Sequence, residues 1–260
     1  MTAHRPALWH LPLSHYSEKV RWALDYKRIQ HDRHAPVGGY HMAVAIVLTR
    51  GRHYTFPVIE LDGRRIGDST AIIAALEQRH PDPPLYPADP EQRQKALALE
   101  DWFDEHLGPA IRRYVFHVLR GERELFDELA GLQIPPILRS HRRTAGAYAR
   151  VFTGARFQAV SDDKAHEARQ NTIAALDRLE SELGENQYLV AERFTVADLT
   201  AAALFYPLVL PPEGPVQMDV PQQMAELRDS LAERRGFQWV TEMFARHRAK
   251  GASRAAPASR

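Results

Sequence analysis

Hydrophobic and polar positions follow two different rules along this chain. Up to about residue 80, short apolar runs alternate with segments of helical spacing, whereas from about Pro90 onward nearly every periodic segment reads as helix. Residues 7–11 predict a short buried strand. After a turn, Tyr16, Val20, Ala23 and Leu24 recur on one helical face. Residues 29–35 predict a second strand and 41–49 a short helix. Residues 58–61 and 65–66 then predict a hairpin turning at Asp62-Gly63, and 69–79 a last helix. The order is βαβαββα.

The second half predicts a long amphipathic helix over 91–119, bearing Trp102, Phe103, Leu107, Ile111, Tyr114, Val115 and Val118 and bent at Gly108-Pro109. Further helices are expected over 122–131, 136–155, 162–183, 195–209, 221–233 and 236–249. Between the halves runs His80-Pro81-Asp82-Pro83-Pro84-Leu85-Tyr86-Pro87, whose prolines cannot continue a helix. The expected organisation is an α/β thioredoxin-like domain over 1–82, an all-α helical domain over 90–249, and a disordered tail over 250–260.

Composition narrows the chemistry. The 260 residues are 44% hydrophobic, enough for a substantial core, and contain no cysteine. Disulfides, thiolate metal sites and dithiol exchange are therefore excluded, and any thiol used must come from a ligand. Lys and Arg total 34 against 33 Asp and Glu, a formal charge of +1 that offers no global field for nucleic acid or an anionic membrane. No run of 18 apolar residues could span a bilayer, and the opening residues lack a signal peptide's apolar core, so the expected location is cytoplasmic. His31 and His34 do not predict a metal site, because residues three apart on a strand point to opposite faces.

The sharpest chemical feature is Ser14-His15-Tyr16-Ser17-Glu18-Lys19-Val20-Arg21, which follows a strand and opens a helix. Unpaired amides and the positive dipole end at such a helix start favour the thiolate form of a nearby sulfur. A serine hydroxyl there can donate a hydrogen bond to the thiolate and lower its pKa, or simply cap the helix. His15 and Tyr16 stand beside it as possible proton or hydrogen-bond donors. Thr55-Phe56-Pro57-Val58 puts a proline at a strand start, where it can be cis. Gly67-Asp68-Ser69-Thr70 opens a further helix whose amides suit a carboxylate.

In this order, these segments resemble the glutathione transferase superfamily, and Ser14-x-x-Ser17-x-Lys19-Val20-Arg21 resembles its serine-type subgroup. The resemblance implies that glutathione is the co-substrate, with no metal. Ser14 would activate its thiol, and His15, Tyr16 and Ser17 would complete the catalytic group. It implies that Phe56 and Pro57 hold the cysteinyl part and Asp68 and Ser69 the γ-glutamyl end, with Arg52 and His53 near the glycine carboxylate. It also implies a homodimer engaged in detoxification. Phe194-Thr195-Val196-Ala197-Asp198-Leu199 resembles the family's helix-capping segment and has capping-box spacing, a sign of fold rather than of chemistry.

The expected reaction is attack of the activated thiol on a small, hydrophobic electrophile lying between the domains against Trp102, Phe103, His106 and Tyr114. Two other functions fit the same residues. One is a non-catalytic ligand carrier or interaction protein; the other is a glutathione-dependent isomerase, dehalogenase or peroxidase.

Overall fold

The computed structural model describes residues 5–36, 40–134 and 136–248. The segment over 250–260, expected to be a disordered tail, lies outside them. Four strands form one mixed sheet in the order β2-β1-β3-β4: β1 (Ala7–Trp9), β2 (Asp32–His34), β3 (Val58–Leu61) and β4 (Arg64–Gly67). β1 runs parallel to β2 and antiparallel to β3, with Leu8 opposite both Arg33 and Ile59. The parallel pair needs a crossover, and α1 (His15–Tyr26) supplies it. The β3–β4 hairpin turns at Asp62 and Gly63, both with positive φ. α2 (His41–Thr49) and α3 (Ser69–Arg79) complete the expected βαβαββα order.

The remaining elements are helical. α4 (Pro90–Trp102) passes through a π-helical turn (Phe103–Leu107) into α5 (Gly108–Gly121). There follow α6 (Arg123–Gly131), a 3₁₀ segment (Pro136–His141), α7 (Arg142–Phe157), α8 (Asp162–Leu183), α9 (Val196–Val209), α10 (Gln222–Leu231) and α11 (Arg235–His247). The fold is thus a thioredoxin-like α/β part joined to an all-helical part.

Four expectations require correction. The first strand ends at Trp9, short of residue 11, and the helix expected over 136–155 is the 3₁₀ segment followed by α7. The second strand is three residues long, because only Asp32–His34 find ladder partners on the three-residue β1. The long helix departs from α geometry just before Gly108-Pro109. Pro109 has no N–H to return to the Glu105 carbonyl, and the ladder shifts phase ahead of it. The Gly108 amide accordingly donates to Phe103, five residues back.

α9 is the axis of the helical part. Every residue of it but Pro207 is buried, as expected for a helix that is apolar on all sides. It packs against α1, α4, α5 and α11. Its start is fixed by the capping box: the backbone N–H and hydroxyl of Thr195 each donate to Asp198 at 2.8 Å, and the Leu189 amide donates to the other carboxylate oxygen at 2.8 Å. Phe194 is buried beside it, 5.6 Å from the Trp22 ring of α1.

Asp198→Ala would leave two buried backbone donors unpaired. We expect it to lower unfolding free energy by about 2–4 kcal/mol, read from urea denaturation, while Asp198→Asn retains part of the loss.

Candidate functional site

α1 begins where β1 ends, because Pro12 and Leu13 turn the chain and Ser14 caps the helix. The Ser14 side chain accepts a hydrogen bond from the Ser17 amide at 3.2 Å, in extended backbone geometry. Capping uses an oxygen lone pair and leaves the hydroxyl proton free to donate. The capping and thiol-activating roles of Ser14 are therefore compatible.

His15 is 4% exposed. Burial first, and the Arg112 charge second, lower its pKa to about 3, so the imidazole is neutral near physiological pH. Its Nε2 is buried without a partner. Tyr16 donates to the Asp104 carbonyl at 2.6 Å. That carbonyl is available because the π-helical turn gives the Gly108 amide to Phe103 instead. Tyr16 thereby ties the first turn of α1 to the bend, and burial raises its phenol pKa. Ser17 points inward: it is fully buried, accepts from the Leu11 amide at 3.3 Å, and secures the turn before the helix.

Ser14, His15 and Tyr16, but not Ser17, face a cavity of about 640 Å³ between the two parts of the molecule; the Ser17 side chain is turned back to the Leu11 amide. Ser14, His15, Tyr16, Phe56, Pro57, Asp68 and Ser69 all line it. The Phe56–Pro57 bond is cis. Asp68 caps α3, accepting from the Ala71 amide at 3.0 Å, with φ of 73°. Arg52 and His53 are not brought to the cavity wall. Arg52 is exposed, and the His53 ring packs so closely on Gly67 that a Cβ there would meet it at 2.5 Å.

The four residues expected at the second-substrate end do not line this cavity either. Phe103 is fully buried in the main core, Tyr114 donates to the Gln223 carbonyl at 3.3 Å, and Trp102 stacks on His106 at 4.7 Å. The reason is helical phase. Ile111, Tyr114 and Val118 form the stripe of α5 that enters the core, while the cavity takes the adjacent stripe, Arg112, Phe116 and Leu119. α6 and α7 supply the far wall through Phe126, Leu129, Phe152 and Phe157.

The cavity wall carries both signs of charge: Asp68, Asp101, Asp104 and Glu105, with Asp104 held to Thr70 of α3, and Arg112 and Arg156 beside the Phe157 ring of α7. Asp104 belongs to a buried network with Lys19, which is fully buried with its ammonium 2.8 Å from Glu100 and 2.5 Å from Asp104. The Thr70 hydroxyl joins it, donating to Asp104 at 2.8 Å. Burial alone would lower the Lys19 pKa, but the two carboxylates carry it above its ordinary value. Asp104 Oδ1 stays buried and unpartnered.

Among the described residues, no group of three or more His, Asp or Glu is placed to hold a metal. No helix among them is long and apolar enough to cross a membrane.

Comparison with known proteins matches residues 8–84 to the family described as glutathione S-transferase, N-terminal domain, and residues 141–222 to glutathione S-transferase, C-terminal domain. The two matches together take in more than half of the chain. Among curated proteins, the chain is 32% identical over 100 residues to maleylacetoacetate isomerase of Dictyostelium discoideum, a match covering 36% of this chain and 44% of that protein. The chain spans under half the length of the curated relatives it matches. Among solved structures, it is similar to glutathione transferase GSTFuA3 from Phanerochaete chrysosporium (20% identity, 94% of this chain and 97% of the other, TM-score 0.61). It is also similar to the theta class glutathione S-transferase from Xanthomonas axonopodis pv. citri, solved with glutathione bound (16% identity, 90% and 95%, TM-score 0.57).

Two tests follow from this geometry. A Cβ at Gly108 would lie 2.0 Å from the Tyr16 hydroxyl. We expect Gly108→Ala to cost about 1–3 kcal/mol of stability in urea denaturation, and less than half of that in a Tyr16→Leu background. The second concerns acid. His10, in contact with Arg21 at 2.8 Å, also has its pKa lowered to about 3, first by burial and then by Arg21. The unfolded chain protonates these histidines near pH 6.5 and the folded chain does not. The stability each contributes is thus present above about pH 6.5 and is lost as pH falls toward 3. Between pH 6.5 and 5 we expect a loss of about 1.5–2 kcal/mol for each, diminished in His10→Gln and His15→Gln.

Proposed function

We propose, on the premise that this chain belongs to the glutathione S-transferase superfamily, that it binds glutathione in the cavity and uses Ser14 to stabilise its thiolate for attack on an electrophile. One observation carries the reading: a single cavity joins the Ser14 hydroxyl at the start of α1 to Asp68 and Ser69 at the start of α3.

The residues present suit the tripeptide. The unpartnered Asp104 Oδ1, together with Asp68, offers negative charge to an ammonium. The first turn of α3, with Ser69, offers amides and a hydroxyl to the neighbouring carboxylate. The Phe56 backbone beside cis-Pro57 is suited to the cysteinyl part, as the family resemblance implies. Ser14 is then the group nearest the helix dipole with a proton to donate. Its hydrogen bond favours the thiolate, and the thiol proton leaves to water. His15 cannot act as a general acid at neutral pH, because its ring carries no proton to release as a cation. Its unpartnered Nε2 is an acceptor. Tyr16 acts by position, holding the bend against α1. Arg52 and His53 would reach a ligand only from outside the present wall.

The expected protein is a cytoplasmic homodimer acting on a small molecule. A glutathione-dependent isomerisation is the second reading, favoured by the match to relatives named maleylacetoacetate isomerase. It uses the same thiolate and releases it unchanged.

Ser14→Ala should raise the pKa of the bound thiol and lower turnover by about 10–100-fold, with the fold unchanged by circular dichroism. The measurement is a pH titration of thiolate absorbance for bound glutathione, alongside conjugation of a generic aryl halide. An unshifted thiol pKa in the wild type would refute thiol activation. Binding without turnover of any electrophile would leave a ligand carrier.

A further inference from the structure

One part of the cavity wall has a composition that a site for neutral hydrophobic molecules does not need. Arg112 projects from α5 with its guanidinium carbon 4.3 Å from the centre of the Phe157 ring. Arg156, one residue before Phe157 on α7, places its own guanidinium carbon 5.7 Å from the same ring. Phe157 in turn stacks on Phe116 at 5.4 Å with an interplanar angle of 9°. Two cations therefore flank a stacked aromatic pair on the cavity wall.

Neither cation forms an ion pair with an acid among the described residues. Arg112 also stands 5.9 Å from the centre of the Tyr16 ring, and the neighbouring cations Arg113 and Arg156 lower its pKa further after burial. Arg112 Nε is buried and donates to nothing among the described residues. Arg156 donates to the Tyr54 hydroxyl at 3.5 Å. Three other buried arginines are matched: Arg21 pairs with Glu18 at 2.8 Å, Arg33 with Asp25 at 2.9 Å, and Arg248 with both of those carboxylates. A buried guanidinium donor without a partner is costly, and two adjacent like charges add repulsion. Such an arrangement is relieved by an anion from outside the chain, and a planar fork of donors matches a carboxylate.

Resting on the thiol-transfer reading above, and naming its second substrate, we infer that Arg112 and Arg156 bind the carboxylate of a planar, unsaturated acid whose apolar body lies against Phe116 and Phe157. The acidic and basic parts of the cavity wall then serve different molecules. Asp68 and Asp104 face the ammonium end of the thiol, and the arginines face the acid. The two parts orient the two reactants so that the unsaturated body of the acid lies between Arg112 and the thiol held at Ser14.

The test uses cinnamate and its methyl ester as probes, titrated calorimetrically into the full chain without glutathione. Cinnamate should bind about tenfold more tightly than the ester, and Arg112→Met and Arg156→Met should each remove most of that preference while leaving ester affinity in place. Arg156 is exposed, so its variant keeps the test open if Arg112→Met fails to fold. Equal binding of acid and ester, or equal weakening of both in the variants, overturns the inference.

A second arm repeats the titration with saturating glutathione. Retention of the preference supports a separate acid site. If glutathione displaces cinnamate and itself binds more weakly to the arginine variants, the pair serves the tripeptide's own carboxylate and the inference fails. The first arm requires no thiol, so a failure of thiol activation at Ser14 would leave its outcome readable.

Discussion

The Lys19 ammonium, fully buried between Glu100 and Asp104, is the contact on which the geometry of the cavity depends. Lys19 lies one turn into α1, Glu100 near the end of α4, Asp104 in the π-helical turn, and Thr70 at the start of α3. A single charge cluster thus ties together the helix that carries Ser14, the helix start beside Asp68, and the bend of the helical part. Its net contribution to stability is small, because desolvation of three charges offsets most of their attraction. Losing Lys19 would leave both carboxylates without their counter-charge, at a cost of about 3–5 kcal/mol. The cluster fixes geometry more than it adds stability.

The bend that it holds follows from one residue. Pro109 interrupts the hydrogen-bond ladder, the ladder shifts to five-residue closure, and the Asp104 carbonyl is released to Tyr16. Gly108 lets the Tyr16 ring approach the helix backbone at that point. The same departure from α geometry therefore directs Asp104 toward the cavity and brings the first turn of α1 into contact with the helical part. A helix irregularity has become part of a binding wall.

Charges of both signs line the cavity. Asp68 and Asp104 stand by the start of α3, Arg112 and Arg156 beside the stacked rings of Phe116 and Phe157, and Ser14 and neutral His15 share the same wall. His15 shows how burial selects a role: its location suits a proton donor, yet desolvation keeps it neutral and leaves Nε2 as an acceptor. Histidine in this environment contributes direction rather than charge.

The sequence by itself determined the order of elements, the cap at Ser14, the hairpin at Asp62-Gly63 and the capping box at Thr195 and Asp198. Each of these depends on local rules: periodicity, turn chemistry and short-range hydrogen bonds. Ser14, Phe56, Pro57, Asp68 and Ser69 came forward together through the resemblance to the glutathione transferase superfamily, on segments that nearby residues mark as strand ends and helix starts. Tertiary structure alone decided the rest. Lys19 reads as a surface residue on its helix until α4 closes over it. Trp102, Phe103, His106 and Tyr114 read as cavity lining because they are aromatic, but an apolar stripe marks the face of a helix that enters the core. Which neighbouring stripe borders empty space depends on where α6 and α7 pack, and no residue on α5 carries that information. The basic part of the cavity wall, assembled from Arg112 and Arg156 on two helices, became visible only once those helices were in place.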